Sequence, residues 1–128
     1  MAEIVSINIS EKRGTRKYSV ASARLKIRCG IEGDAHAGDW HRQVSLLAQE
    51  SIGRMEAMGV SDLAPGAFAE NITTRGIELR SLPAGSRLKL GECEVEVTQI
   101  GKECHQRCEI FKQAGTCVMP LEGIFVKV

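Results

Sequence analysis

The run Cys104-His105-Gln106-Arg107-Cys108, with Cys117 nine positions further on, concentrates the most reactive residue types of the sequence. A thiolate is both a nucleophile and a soft metal ligand, and Lys102, His105 and Arg107 put positive charge beside it, which favours the ionised form. Soft sulfur donors select zinc, copper(I) or iron–sulfur centres over magnesium or calcium. Cys104 is therefore a candidate for nucleophilic sulfur chemistry and for metal ligation. If the segment is helical, Cys104 and Cys108 share a face, and Cys108 can resolve a persulfide on Cys104 as hydrogen sulfide plus a disulfide. A structural zinc site made of Cys104, His105, Cys108 and Cys117 is another reading. Against it, the first interval is Cys-x3-Cys, where zinc knuckles use Cys-x2-Cys. Plain burial is the last, since free cysteine is among the most buried residue types; Cys29 and Cys93 belong to that class.

Two further clusters offer polar chemistry. In Gly33-Asp34-Ala35-His36-Ala37-Gly38-Asp39-Trp40-His41-Arg42, the glycines allow tight turns. Asp34, His36, His41 and Arg42 supply an acid, two imidazoles and a forked donor suited to phosphate or carboxylate. A metal site or an anion pocket can be built there, and a solvated loop with one structurally bonded histidine is the plain alternative. The segment is not a Gly-x4-Gly-Lys-Ser/Thr phosphate loop. In Pro65-Gly66-Ala67-Phe68-Ala69-Glu70-Asn71-Ile72-Thr73, Asn71 can donate and accept, which suits reading the edge of a heterocycle, and Glu70 can act as a base or orient a cation. An asparagine at a strand entry is more often a turn former, which is the plain reading of Asn71.

The elements that must position these residues are mostly short strands. Val5, Ile7 and Ile9 alternate with Ser6, Asn8 and Ser10, the period of a half-buried strand. Leu88, Leu90, Cys93, Val95 and Val97 alternate with Lys89, Glu94, Glu96 and Thr98 around a break at Gly91-Glu92, a hairpin with one wet face. Gly123 to Val128 reads as a last strand and Glu70 to Thr74 as a β-favouring segment. Ala48, Ile52, Met55 and Met58 have helical spacing, with Gly59 as the C-terminal cap and Gln43 to Leu47 as a strand feeding the helix. A shorter helix is expected over 108–114. Short strands punctuated by glycine, with little helix, predict a mainly β, barrel-like domain with one or two short helices.

Composition bounds the rest. A chain of 128 residues with 43% hydrophobic content fits one domain over 1–128 without disulfide staples. Net charge is +1, from 17 basic and 16 acidic residues, so no global field draws it to nucleic acid or a membrane. Any bound anion needs a local pocket. The N-terminus lacks a basic region followed by an apolar run, and no stretch approaches the roughly 18 apolar residues of a spanning helix. Five cysteines, three of them in the last quarter, point to reduced thiols in the cytoplasm.

Taken in order, Gly33 to Gly38, Arg42-Gln43-Val44-Ser45-Leu46-Leu47, Gly66 to Thr73, Gly101-Lys102-Glu103-Cys104 and Gly123-Ile124-Phe125 strongly resemble the MOSC domain, the C-terminal domain of molybdenum cofactor sulfurases. The resemblance runs from about Ile4 to Val128. It implies a barrel-like β fold and a link to molybdenum cofactor (molybdopterin) and sulfur transfer. Related reductases hold molybdenum through the cysteine matching Cys104, and in other members that position is proposed to carry sulfur. By the same correspondence Cys104 is a molybdenum ligand or a persulfide-bearing thiol, and Asn71 helps to hold the pterin or its phosphate. Arg42, His36 and Lys102 lie in the matching motifs with charge suited to an anionic cofactor. Members that bind the cofactor well carry an arginine two positions before the asparagine, where this chain has Ala69.

Three functions fit: a sulfur carrier or cofactor-binding protein, a molybdenum-dependent reductase of N-hydroxylated compounds, or a small zinc-binding protein. A chain this short lacks a pyridoxal phosphate-dependent desulfurase module. The implied partner is therefore a cysteine desulfurase or a molybdoenzyme maturation protein.

Overall fold

Residues 44 to 48, Val-Ser-Leu-Leu-Ala, carry no charge and hold three aliphatic side chains, a composition suited to a strand covered on both faces. In the computed structural model they form a fully buried strand, β5, at the centre of the molecule. The structure describes residues 3–12, 17–57, 66, 68, 70–100 and 123–128.

Nine strands and one α-helix are seen among them. In chain order they are β1 (Glu3–Ile9), β2 (Tyr18–Val20), β3 (Leu25–Lys26), β4 (Gly30–Ile31), β5 (Val44–Ala48), α1 (Gln49–Ala57), β6 (Ile72–Arg75), β7 (Arg87–Leu90), β8 (Cys93–Ile100) and β9 (Ile124–Lys127). Seven strands make one curled, half-barrel sheet in the order β2-β1-β6-β5-β9-β8-β7, while β3 and β4 pair separately. The mainly β, barrel-like architecture agrees with the strand pattern of the sequence.

The parallel pair in the large sheet is β5 with β6. Parallel neighbours need a crossover, and α1 begins it immediately after β5. Ile52 and Met55, three apart, are the apolar residues that α1 buries. Ala48, expected on the helix, ends the strand instead. Gly59 and the helix expected over 108–114 lie outside the described residues. The β7–β8 hairpin turns at Gly91-Glu92 as expected, with Leu90 paired to Cys93 and Gly91 supplying a φ of 62°.

Register aligns a row across six strands: Val20, Ile7, Ile72, Leu46, Ile124 and Ile100. On one face of the sheet Val44, Leu46, Ile72, Val95, Val97, Ile124 and Val126 pack into the apolar core with Ile31, Leu79 and Leu90. Each such side chain contributes about 1.5–3 kcal/mol when fully buried. The alternate residues of the same strands turn to the other face, where buried Leu47 and Phe125 pair with the polar Thr73 and Ser45. Asn8 and Ser10 illustrate the departure from the simple pattern: period two suggests a wet face for them, yet both are buried. No helix of the described residues is long and apolar enough to cross a membrane.

Candidate functional site

The polar face is built from the ends of β1 and β5, the entry to β6, and the loops before them. Asn71 precedes β6 and is fully buried. Its Oδ1 accepts from the Ser45 amide (3.0 Å) and hydroxyl (3.2 Å), and its Nδ2 donates to the Asn8 carbonyl (3.1 Å). Backbone bonds run alongside, from Asn8 N to Asn71 O and from Asn71 N to Ser45 O. Asn8 Nδ2 in turn donates to the Glu70 carbonyl and to Thr73 Oγ1, both at 3.2 Å, and Ser19 Oγ donates to Asn8 Oδ1 at 3.0 Å. One network thus stitches β1, β2, β5 and β6 where their backbone ladders end. Buried amides are tolerated only when partnered in this way.

Glu70 closes the network. Its Oε1 accepts from the Phe68 amide at 3.2 Å and its Oε2 from Thr73 Oγ1 at 2.8 Å. Burial pushes its carboxyl above the usual range despite the Thr73 hydroxyl and the backbone amides around it. Within the described residues Glu70 faces donors belonging to its own motif.

Next to this network lies a fully buried ion pair. Lys17 Nζ is 2.7 Å from Asp34 Oδ1, and both side chains are sealed from solvent. Lys17 Nζ also donates to Ser10 Oγ at 3.1 Å and lies 3.1 Å from His36 Nδ1. Asp34 accepts the amides of Ser10 (3.1 Å) and His36 (3.0 Å) as well. Burial raises the Asp34 carboxyl, but hydrogen bonds from His36 and from the Lys17 ammonium outweigh it and hold the group well below the usual carboxylate range. Gly66 accounts for how Lys17 comes to be here. Lys17 N donates to Gly66 O at 2.9 Å, and a Cβ on Gly66, whose φ is +90°, would sit 2.2 Å from Lys17 O. Only glycine permits that approach.

From His36 the loop runs toward the far strands. Trp40 Nε1 donates to the His36 carbonyl at 2.7 Å, the two rings are parallel, and His41 meets Trp40 edge-on. The Thr98 hydroxyl bonds the His41 carbonyl, which ties the loop to β8. Arg42 then reaches along β9. Its Nε donates to Gln99 Oε1 at 3.1 Å and its guanidinium lies 5.2 Å from the centre of the Phe125 ring. Among the described residues no carboxylate pairs with Arg42, so its charge is held in place but not neutralised there.

Of the residues singled out in the sequence, His36, Arg42 and Asn71 fall on this face. Cys104, Cys108, Cys117, Lys102, His105 and Ala69 lie outside the described residues. Lys17, Ser10, Asn8, Ser45, Gln99 and Phe125 were not foreseen as contributors. No sequence signal marks Lys17, one basic residue in the run Lys12-Arg13-Gly14-Thr15-Arg16-Lys17. Among the described residues no three His, Cys, Asp or Glu side chains form a metal-binding group. Two depressions lie elsewhere. One of about 410 Å³ lies between α1 and the segment after β6, with Glu50, Arg54 and Glu78 in its lining. The other, about 330 Å³ and mostly apolar, opens between β1 and β7. Neither contains a residue of the polar cluster.

With this geometry in hand, comparisons identify relatives. The model of the MOSC domain matches residues 33–121, well over half of the chain. The fold is similar to that of the YuaD protein from Bacillus subtilis, with a TM-score of 0.81 and 20% identity over 99% of this chain and 87% of that one. It is also similar to YiiM from Geobacillus stearothermophilus, at a TM-score of 0.71 and 19% identity, covering 100% of this chain and 68% of the other. YiiM from Escherichia coli gives a TM-score of 0.68 and 18% identity, and this chain spans 62% of its length. At these identities the likeness is one of fold. No curated protein matches the chain.

Proposed function

This chain belongs to the MOSC domain family, and from that premise we propose that it is a molybdenum cofactor-associated sulfur carrier or cofactor-binding protein acting through Cys104. Arg42 is the observation that carries the reading. A guanidinium steadied by Gln99 and Phe125, without a carboxylate partner among the described residues, is preorganised for an anion. Cys104 follows Gln99 by only five positions in the sequence. The residues present thus fit the anionic part of the cofactor. Bound there, the group would supply a sulfur-seeking metal and a phosphate.

In this reading Arg42 and Lys102 hold the phosphate, and His36 contributes from the same loop. Asn71 is a more constrained partner, since Ser45 and Asn8 already engage its amide, and one Nδ2 hydrogen is what it has to offer a pterin. Cys104 is the ligand to molybdenum or the carrier of sulfur. As a carrier, its thiolate attacks the outer sulfur of a donor persulfide and the donor thiolate leaves, so the sulfur now sits on Cys104. Cys108 can then attack the inner sulfur of Cys104, forming a disulfide and expelling hydrosulfide. The donor is a cysteine desulfurase, or a maturation partner of a molybdoenzyme.

Anaerobic purification followed by metal analysis and persulfide-sensitive mass measurement tests the proposal. Retained molybdenum, or a gain of one sulfur on Cys104, supports it, and Cys104→Ser abolishes either. Arg42→Met weakens cofactor retention by about tenfold or more, the worth of a charge-assisted hydrogen bond. About one zinc per chain, lost on joint replacement of Cys104 and Cys108, overturns it in favour of a zinc protein. Reduction of N-hydroxylated compounds by cofactor-loaded protein with an electron donor makes it a reductase instead.

A further inference from the structure

Lys17 is a buried charge that the functional reading leaves unused, and its surroundings leave little freedom. An ammonium group has three N–H donors and nothing with which to accept. Three acceptors surround it: Asp34 Oδ1 at 2.7 Å, Ser10 Oγ at 3.1 Å and His36 Nδ1 at 3.1 Å. The Ser10 hydroxyl proton is committed to the Lys12 carbonyl at 3.0 Å, so Ser10 can only accept from Lys17. Asp34 Oδ1 accepts from Lys17 and from the Ser10 amide and Oδ2 from the His36 amide, while His36 Nδ1 lies 3.8 Å from Oδ2, beyond hydrogen-bond reach. Every proton of the cluster is thereby assigned except the one on the imidazole ring. Since Lys17 can only donate, Nδ1 must present its lone pair, and the ring proton falls to Nε2.

The ring is held in other ways. The His36 amide donates to Asp34 Oδ2, its carbonyl accepts from Trp40 Nε1 at 2.7 Å, and its plane lies within 2° of the indole. Its side chain is 22% exposed while those of Lys17 and Asp34 are at 0%, so the imidazole is the part of the cluster that meets the surroundings.

We infer that Lys17 locks His36 as a neutral imidazole protonated at Nε2, which offers a fixed N–H donor to the oxygen of a phosphate-type anion and cannot serve as a metal ligand. Ligation through Nε2 would move the ring proton to Nδ1 and set it against the ammonium, donor facing donor. Ligation through Nδ1 would displace Lys17 from a sealed ion pair. Lys17 is thus a positioning residue and His36 a binding one. The anion role rests on the reading of the 33–42 loop as part of the cofactor site; the tautomer does not.

Nitrogen-15 NMR of the histidine rings in ligand-free protein near neutral pH reads the tautomer directly. The expected spectrum has His36 Nε2 protonated and Nδ1 unprotonated as a single species, with exposed His41 as the internal comparison. A protonated Nδ1, or averaging between tautomers, overturns the lock. Replacing the pair together, Lys17→Met with Asp34→Asn, removes both buried charges and is expected to let His36 average like His41. Persistence of the single tautomer in that variant overturns the role of Lys17, and if the variant does not fold, the wild-type spectrum decides alone. Added inorganic phosphate is expected to shift the His36 Nε2 resonance, and a ring that does not respond overturns the donor role. Added zinc is expected to leave His36 unchanged, and zinc bound at its ring nitrogen overturns the proposal. These spectra need no cofactor and no Cys104, so failure here leaves the sulfur-carrier reading standing, and the reverse also holds.

Discussion

Ser45 and Leu46 are consecutive residues of β5, almost equally buried, at 4% and 1% exposure. They point to opposite faces of one sheet. Leu46 enters the apolar core between Ile72 and Ile124, while Ser45 enters the polar network through Asn71. The hydrophobic effect is non-directional, so the Leu46 side asks only for volume and shape. Hydrogen bonds and ion pairs are directional, and each buried group left without a partner carries its full desolvation cost. The two faces therefore differ less in how much they bury than in what kind of substitution they tolerate.

The sharpest way to break that comparison is Asp34→Ala, which leaves the Lys17 ammonium buried without its counter-charge. A loss of roughly 3–5 kcal/mol is expected from urea unfolding. Adding Lys17→Met should restore part of it, because the orphaned charge is then gone. A double variant that loses the sum of both single effects would mean that the pair is not coupled. On the apolar face Leu46→Ala should cost roughly 2–5 kcal/mol, as a buried cavity does, whereas the shape-conserving Leu46→Met should cost under about 1.5 kcal/mol.

Gly66→Ala probes the backbone contact that seats Lys17. It should cost roughly 1–3 kcal/mol more than Gly85→Ala. Both glycines have positive φ, but a Cβ on Gly85 meets nothing within 4 Å, whereas on Gly66 it meets Lys17 O. Equal losses would remove the close approach as the reason for glycine. Ser45→Ala, which keeps the strand and deletes only the hydroxyl, should cost about 1–3 kcal/mol through the Asn71 side chain.

The smallest effect is expected in pH dependence, and the two buried carboxyls act in opposite directions. Asp34 has a lowered folded value, so its contribution is present above its usual 3.8 and is lost as pH falls through the folded value. Glu70 has a raised folded value, so folded protein binds the proton more tightly, and stability declines as pH rises from the usual 4.5 through that value. Unfolding midpoints measured across pH should show Glu70→Gln flattening the decline on the alkaline side of 4.5. An unchanged slope there would mean that Glu70 is not the group responsible.

Much of the fold was legible because strands and hairpins announce themselves locally. Leu88 to Val97 encodes its own alternation and turn, and the buried tail 124 to 126 reads as a strand from β-branched and aromatic residues alone. The candidate site was legible in another way, through ordered motifs that resemble a family, and these brought out His36, Arg42 and Asn71. Period two misleads at Asn8 and Ser10, since alternation reports which residues share a face and not whether that face is wet. Asn8 and Ser10 turn inward because Asn71, Glu70 and Asp34 wait there to satisfy them.

From residue types and their order alone come the β architecture, the family and the soft, cation-flanked thiol at Cys104. Tertiary structure decided the rest: that Lys17 is sealed inside with Asp34 and His36, that Gly66 is required by a carbonyl far away in sequence, and that Gln99 and Phe125 steady Arg42. The physical reason is the same in each case. A hydrogen bond or ion pair between residues 17 to 57 positions apart leaves no periodicity in the chain, and it exists only once the strands have brought its two ends together.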